Sequence, residues 1–331
     1  MKKSLLALAV LGAFAGAASA QSSVTIYGLL DQSVAKGNGG TAGNNGGSAG
    51  ASDAWTVQQA AGSRLGFRGN EDLGGGMSAQ FQIEHRFSPD TGAVGNTNSF
   101  WQGRSYVQVG GNDMGRVYLG RDYTPSFWPA VKSDPFGWDG VGQIGANAWA
   151  GYVAPDQGQG AGVRTSNTVG YKSPNLGGLT IQAAVGLSET SGAGRNNGFN
   201  VEYGAGPIYA AMGFEKITGG TGDGRGVTNF ALHYNFGFAN VMGYFASAKP
   251  TKTTKSKMYS IGVKAPVGPG ALKAMYFNVN PDGNNNNSSK IGVGYDYPLS
   301  KRTNVYADLG LTRADTRTNN TTYAFGVKHT F

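Results

Sequence analysis

Met77-Ser78-Ala79-Gln80-Phe81-Gln82-Ile83-Glu84 alternates apolar with polar side chains at every step. A period of two places the two kinds on opposite faces of a β-strand. The same beat runs from Ser22 to Phe331. Val24, Ile26 and Leu30 alternate with Thr25 and Asp31, and Leu65 and Phe67 with Arg64 and Arg68. It continues through Leu179, Ile181 and Val185, through Phe230, Leu232 and Tyr234, and through Ile291, Val293 and Tyr295. The last segment sets Tyr323, Phe325, Val327 and Phe331 on one face. Short turn-rich connections such as Gly111-Asn112-Asp113-Met114-Gly115 and Leu299-Ser300-Lys301-Arg302 alternate with long polar ones, Lys36 to Asp53, Phe87 to Asn96 and Asn280 to Ser289. Tight turns therefore gather at one edge of a wall. The pattern predicts sixteen strands in one domain, 21–331, with roughly 19 residues per strand and connection, enough for the ~9–11 residues that span a bilayer.

Composition narrows the class. The chain has 331 residues, of which 56 are Gly and none is Cys, and only 14% are charged. Without Cys there is no disulfide, Fe–S cluster, thiolate zinc site or cysteine nucleophile. Lys2 and Lys3 precede an apolar stretch reaching Ala17, and Ala18-Ser19-Ala20 fits a cleavage site. Residues 1–20 thus read as a secretory signal peptide. No other apolar run is long enough for a membrane helix. An alternating sheet exported in this way predicts an all-β, sixteen-stranded antiparallel transmembrane β-barrel. In lipid the apolar face points outward and the lumen is polar. The barrel must close, because hydrocarbon cannot satisfy a free sheet edge.

Several segments resemble the general porins of β-proteobacteria and neisseriae. Ser22-Ser23-Val24-Thr25-Ile26-Tyr27-Gly28-Leu29-Leu30-Asp31 is similar to their first strand. Ser63-Arg64-Leu65-Gly66-Phe67-Arg68-Gly69-Asn70-Glu71-Asp72-Leu73-Gly74-Gly75-Gly76 resembles their second strand and turn. Gly115-Arg116-Val117-Tyr118-Leu119-Gly120-Arg121-Asp122 resembles the strand leading into their constriction loop, and Tyr171-Lys172-Ser173-Pro174-Asn175-Leu176-Gly177-Gly178 and Phe331 also match. The resemblance implies a homotrimeric outer-membrane diffusion pore for small hydrophilic solutes and ions, with one loop folded into the lumen. It also implies Phe331 as an assembly signal.

Selectivity in a pore comes from charges at its narrowest point. Alternation turns Arg64, Arg68, Arg104 and Arg164 into the lumen. The resemblance places Arg64, Arg104 and Arg164 near the constriction of anion-selective relatives; Arg68, closer to the turn, ranks below them. Residues 122–162 form the one very long connection, with Trp128, Trp138 and Trp149 and several prolines. Loops longer than ~15 residues are usually functional or disordered. Folded inward, this one would set Asp134, Asp139 and Asp122 opposite the arginines.

Other classes find little support. The three His are His85, His233 and His329, and of these only His233 shares lumen parity. No H-E-x-x-H, EF-hand or P-loop occurs. Asp- and Asn-rich loops could hold calcium incidentally. Basic residues are scattered, so nucleic acid is not an expected partner; rim cations would instead meet lipopolysaccharide. No enzyme, cofactor or resident metal is expected. Two rivals remain: a channel specific for an organic acid or a sugar, and a structural or adhesin barrel whose loops bind a partner.

Overall fold

A computed structural model describes residues 23–42, 53–152, 163–282 and 287–331. The expected signal peptide, the loop tip around Asn44, residues 153–162 with Asp156, and residues 283–286 lie outside the described residues. Sixteen long antiparallel strands form the wall: β1 (Ser23–Lys36), β2 (Arg64–Gly74), β3 (Met77–Ser88), β4 (Arg104–Gly111), β5 (Gly115–Tyr123), β6 (Arg164–Lys172), β7 (Leu179–Gly186), β8 (Arg195–Ala205), β9 (Ile208–Thr218), β10 (Gly226–Asn235), β11 (Asn240–Lys249), β12 (Ser256–Val267), β13 (Gly270–Pro281), β14 (Ser288–Pro298), β15 (Thr303–Ala314) and β16 (Arg317–Thr330). A short piece, Thr56–Gln58, adds to β1, and Ala93–Val94 forms a ribbon with the end of β3.

Each strand pairs with its sequence neighbour, and β1 closes the barrel against β16, with Leu29 opposite Thr330 and Lys36 opposite Tyr323. Ser23, the first described residue, and Phe331 lie at the short-turn end. There Gly28 and Phe331 exchange backbone hydrogen bonds of 3.0 and 3.2 Å. A Cβ on Gly28 would overlap the Phe331 ring, so the small residue seats the terminal aromatic. The opposite end is not uniformly open: β15 and β16 are joined only by Asp315 and Thr316. The chain after β1 folds over that hairpin instead, with Ala42 N donating to Thr318 O at 2.8 Å.

The outer face is apolar. Val107, Leu119, Leu232 and Ile261 are all exposed there, as lipid contact requires. Inside, a uniformly polar lumen is not what the barrel contains. The inward face of β9–β13 carries Ala211, Ala231, Ala246, Met258, Met275 and Phe277, packed with Phe127, Phe136, Ile144 and Trp149 of the connection 124–163. A hydrophobic core thus lies within the barrel, under its long loop.

Candidate functional site

Residues 124–152 of the long connection are held across the lumen by partners on many strands. Helix α1 (Phe127–Lys132) leads it in. Ser126 hydrogen-bonds Glu215 on β9. Asn200 on β8 donates to Pro125 O at 2.8 Å, and Asn229 on β10 to Ser126 O at 2.9 Å. Tyr244 on β11 reaches Ala148 O at 2.8 Å. Further round, Gly292 and Gly310 let β14 and β15 approach the carbonyls of Gly142 and Val141 so closely that a Cβ on either would collide with loop backbone. The lumen histidine belongs to this anchorage. His233 meets Ser133 Oγ at 2.9 Å and packs on Tyr209, and Ser133 is completely buried.

The loop leaves a cavity of about 520 Å³ against β2–β6, lined by Arg64, Arg86, Arg104 and Arg164 together with Glu84 and Asp139. Cross-strand register explains the basic side. Arg64 lies opposite Arg86, Arg104 opposite Glu84, and Arg164 opposite Tyr123. Like charges directly opposed destabilise a sheet. Here the Gly62 carbonyl lies between them, accepting from Arg64 Nε at 3.0 Å and Arg86 Nη1 at 2.9 Å.

The four guanidiniums are not equivalent. Arg86 pairs with Glu84 at 2.7 Å. Arg104 forks onto Asp122 through Nε (2.7 Å) and Nη2 (3.0 Å), while Nη1 donates to Gln82 at 3.0 Å. Such bidentate pairs combine charge with fixed geometry. Lys172 closes the same carboxylate at 2.8 Å. Among the described residues, no carboxylate lies within ion-pair distance of Arg64 or Arg164. Arg164 instead donates Nη2 to the Tyr123 hydroxyl at 2.5 Å and lies 4.2 Å above that ring. Tyr123 also accepts from Arg86 Nη2 at 3.1 Å and sits below Arg104.

The acidic side is smaller than the sequence reading expects. Asp122 belongs to β5, on the basic wall; it is buried and spent on Arg104 and Lys172. Asp134 does not face the passage either. It is 4% exposed and accepts backbone N–H groups of Phe136 (2.9 Å), Trp138 (3.1 Å) and Ile144 (2.9 Å), holding the loop's own turn. Burial pushes its pKa up to about 6. Asp139 does line the cavity opposite the arginines, with Lys328 of β16 at 3.3 Å. Trp128, Val131 and Trp138 fill the rest of the loop side.

Arg68 lies outside this group, exposed toward the short-turn end and 5.6 Å above the Tyr27 ring. Arg164 reaches the lumen, but not by unbroken alternation. A bulge shifts the β5–β6 register between Gly120 and Asp122, Asn167 takes a left-handed φ of 54°, and Thr165 also turns inward to Asn196. Arg86 and Tyr123 are absent from the sequence reading. Arg86 continues the even-numbered inward series Gln80, Gln82, Glu84 by one step. Tyr123 gives no such signal, because the chain is already bending into the lumen there.

A closed sixteen-stranded barrel, narrowed by an inward loop against an arginine wall, defines a porin. The profile of the Gram-negative porin family matches residues 7–317, and the chain belongs to that family. Outer membrane porin protein 32 of Delftia acidovorans is 37% identical over 327 residues, covering 93% of this chain and 89% of the relative. Major outer membrane protein P.IB of Neisseria meningitidis serogroup B is 27% identical over 368 residues, covering 100% of both chains. The solved structure of an anion-selective porin from Comamonas acidovorans matches with a TM-score of 0.79 at 29% identity, covering 94% of this chain and 100% of that one. The protein is an outer-membrane porin, a water-filled channel for passive diffusion of small hydrophilic solutes, and not an enzyme.

Proposed function

We propose that the channel prefers anions, and that the preference arises where loop 124–163 faces the arginine wall. One observation carries this: among the described residues, guanidiniums outnumber carboxylates around the cavity, and Arg64 and Arg164 are the two without a carboxylate partner. A guanidinium stays charged at any working pH. Low-dielectric walls focus its field within a narrow cleft. Arg86 and Arg104 are largely neutralised by Glu84 and Asp122, so they serve as the scaffold that holds Tyr123 and Arg164 in place. The likeness to a porin described as anion-selective supports the same sign. We further take the working unit to be a homotrimer among lipopolysaccharide, on the family resemblance.

The test is the zero-current potential of single channels in a planar bilayer under a tenfold KCl gradient. Anion preference sets its sign, and the preference weakens at high salt, because the Debye length is ~10 Å at 0.1 M and ~3 Å at 1 M. A cation-signed potential at low salt contradicts the reading.

A second reading is a channel with affinity for organic carboxylates. It is favoured by the apolar strip Phe127, Trp128 and Val131 facing the guanidiniums. Saturable block of ion current by a dicarboxylate, absent with an uncharged sugar of similar size, distinguishes it.

A further inference from the structure

Among the described residues, two carboxylates line the arginine cavity, Glu84 and Asp139. Glu84 is spent on Arg86. Asp139 shares the cavity with Arg64 and Arg164 and pairs with neither. Its Oδ2 accepts instead from Lys328 Nζ of β16, at 3.3 Å. Parity brings that lysine inward. Along β16, Phe325 and Val327 are exposed on the lipid face, while Ala324 is buried on the inner one, and Lys328 continues the inner series. It lies opposite Asp31 on β1 and Asn304 on β15.

The backbone that carries Asp139 is fixed on its own account. Asp134 accepts the Phe136 and Trp138 amides. Asp139 N donates to Phe136 O at 3.3 Å, and Gly140 N to Ala60 O at 3.1 Å. Gly137, Trp138 and Gly140 all take left-handed φ, of 67°, 64° and 73°. At Trp138 that conformation is strained, and it persists only where the surroundings over-determine it. The Asp139 side chain can therefore turn while its Cα stays in place. Two buried wall carboxylates flank the same turn. Asp31 accepts from Ala60 N at 2.9 Å and from the Tyr306 hydroxyl at 2.6 Å. Asp308, which has Lys273 at 3.3 Å, lies so near Gly140 that a Cβ there would meet its Oδ2. Asp139 is within electrostatic range of Asp31 on one side and of Arg86 on the other. Like charges repel and unlike charges attract, so without Lys328 the field drives the Asp139 carboxylate off the β16 side and toward the guanidiniums.

We propose that Lys328 is a selectivity-determining residue of the passage: it holds Asp139 against β16 and so leaves Arg64 and Arg164 without a carboxylate partner. The proposal rests on the anion reading above and accounts for what that reading requires, a carboxylate and two unpaired guanidiniums in one cavity. Lys328 is a positioning residue, acting through Asp139 rather than by touching the permeating ion. Removing its amine lets the carboxylate turn to the arginine wall, where a guanidinium can fork onto it as Arg104 does onto Asp122. Lys328 and Asp139 are 26% and 29% exposed. Pairs open to water are weak, which suits a contact that sets the direction of one side chain and not the fold.

The test is a mutant cycle read by the zero-current potential in planar bilayers at neutral pH and about 0.1 M salt, where screening is partial. It compares wild type, Lys328→Gln, Asp139→Asn and the double variant, with Lys328→Arg as the conservative control. Loss of the lysine charge alone shifts the potential equally in both backgrounds at position 139. A released carboxylate shifts it only where Asp139 is present. Lys328→Gln is expected to lower the anion-to-cation permeability ratio about threefold in the wild-type background, the scale of a partly exposed ion pair, and by a much smaller factor in the Asp139→Asn background. Lys328→Arg should stay near wild type. Equal factors in the two backgrounds overturn the proposal, as does a shift by Lys328→Arg as large as that by Lys328→Gln. Recovery of heat-modifiable folded protein checks each variant; should Lys328→Gln fail to insert, Lys328→Met takes its place in the cycle. The cycle compares variants and is read whatever the sign of the wild-type potential. A cation-signed wild type therefore fails the anion reading, whereas equal factors in an anion-signed channel fail this proposal alone.

Discussion

Arg104 and Asp134 show how far a side chain's charge can differ from its task. Arg104 has the same inward parity as Arg64, yet its charge is answered at 2.7 Å by Asp122, whose side chain is wholly buried. Removing one partner of a buried pair costs about 3–5 kcal/mol. With Lys172 still on Asp122, Arg104→Gln should fall near the lower figure. Thermal unfolding of the purified porin should therefore show a lower midpoint for Arg104→Gln than for Arg64→Gln. Equal midpoints would mean the fork contributes nothing. Asp134 behaves differently again. Its pKa is raised, so the docked loop holds a proton more tightly than the undocked one. Docking is then fully favoured below the ordinary carboxyl pKa near 4 and loses that advantage as pH rises through about 6, by about 3 kcal/mol in all. Lowering pH from 7 to 5 should raise the thermal midpoint of wild type relative to Asp134→Asn, whose amide cannot titrate. Parallel profiles would show that Asp134 is not the group responsible.

At the scale of elements, the strands were legible and the loop was not. Each wall strand has a lipid face, and lipid demands the unbroken apolar series that the sequence displays at Val107 and Val109 or at Ile291 and Val293. Parity alone turns Arg64 and Arg104 toward the lumen, where both line the cavity. It missed the bulge at Asn167, because a left-handed Asn leaves no mark in a two-residue period. It missed the packed interior of β9–β13, because Ala and Met on the inner face read as weak alternation rather than as a core. Nothing local in the sequence separates a carboxylate that accepts three loop amides, as Asp134 does, from one that lines a passage. The element prediction concerns Gly292 and Gly310. Gly310→Val should push the loop from the wall beside Val141, and deletion of roughly Pro129 to Gly151 should remove the obstruction altogether. Both should raise single-channel conductance, the deletion more, with the barrel still folded. Unchanged conductance in a folded deletion variant would mean the loop does not set the narrowest section.

For the whole molecule, one closed sheet divides the sequence into three environments: lipid, water and the dry core beneath the loop. Alternation separates lipid from the rest, and tertiary packing alone separates the other two. Closure depends on the strand ends meeting, so Gly28→Val, which would displace Phe331, should lower the yield of heat-modifiable folded protein from membranes; an unchanged yield would show the terminal seat to be dispensable. On the proposal above, Arg64 and Arg164, which have no carboxylate partner among the described residues, bias the passage, rather than arginine content as such. The most direct test is the zero-current potential at about 0.1 M salt, where screening is partial, for the double variant Arg64→Gln, Arg164→Gln beside the double variant Glu84→Gln, Arg86→Gln. The first removes two positive charges, and the second removes one arginine together with its carboxylate partner, leaving the net charge unchanged. The first is expected to move the potential far toward the cation side and the second much less. An equal shift in both, or a larger one in the second, would contradict it.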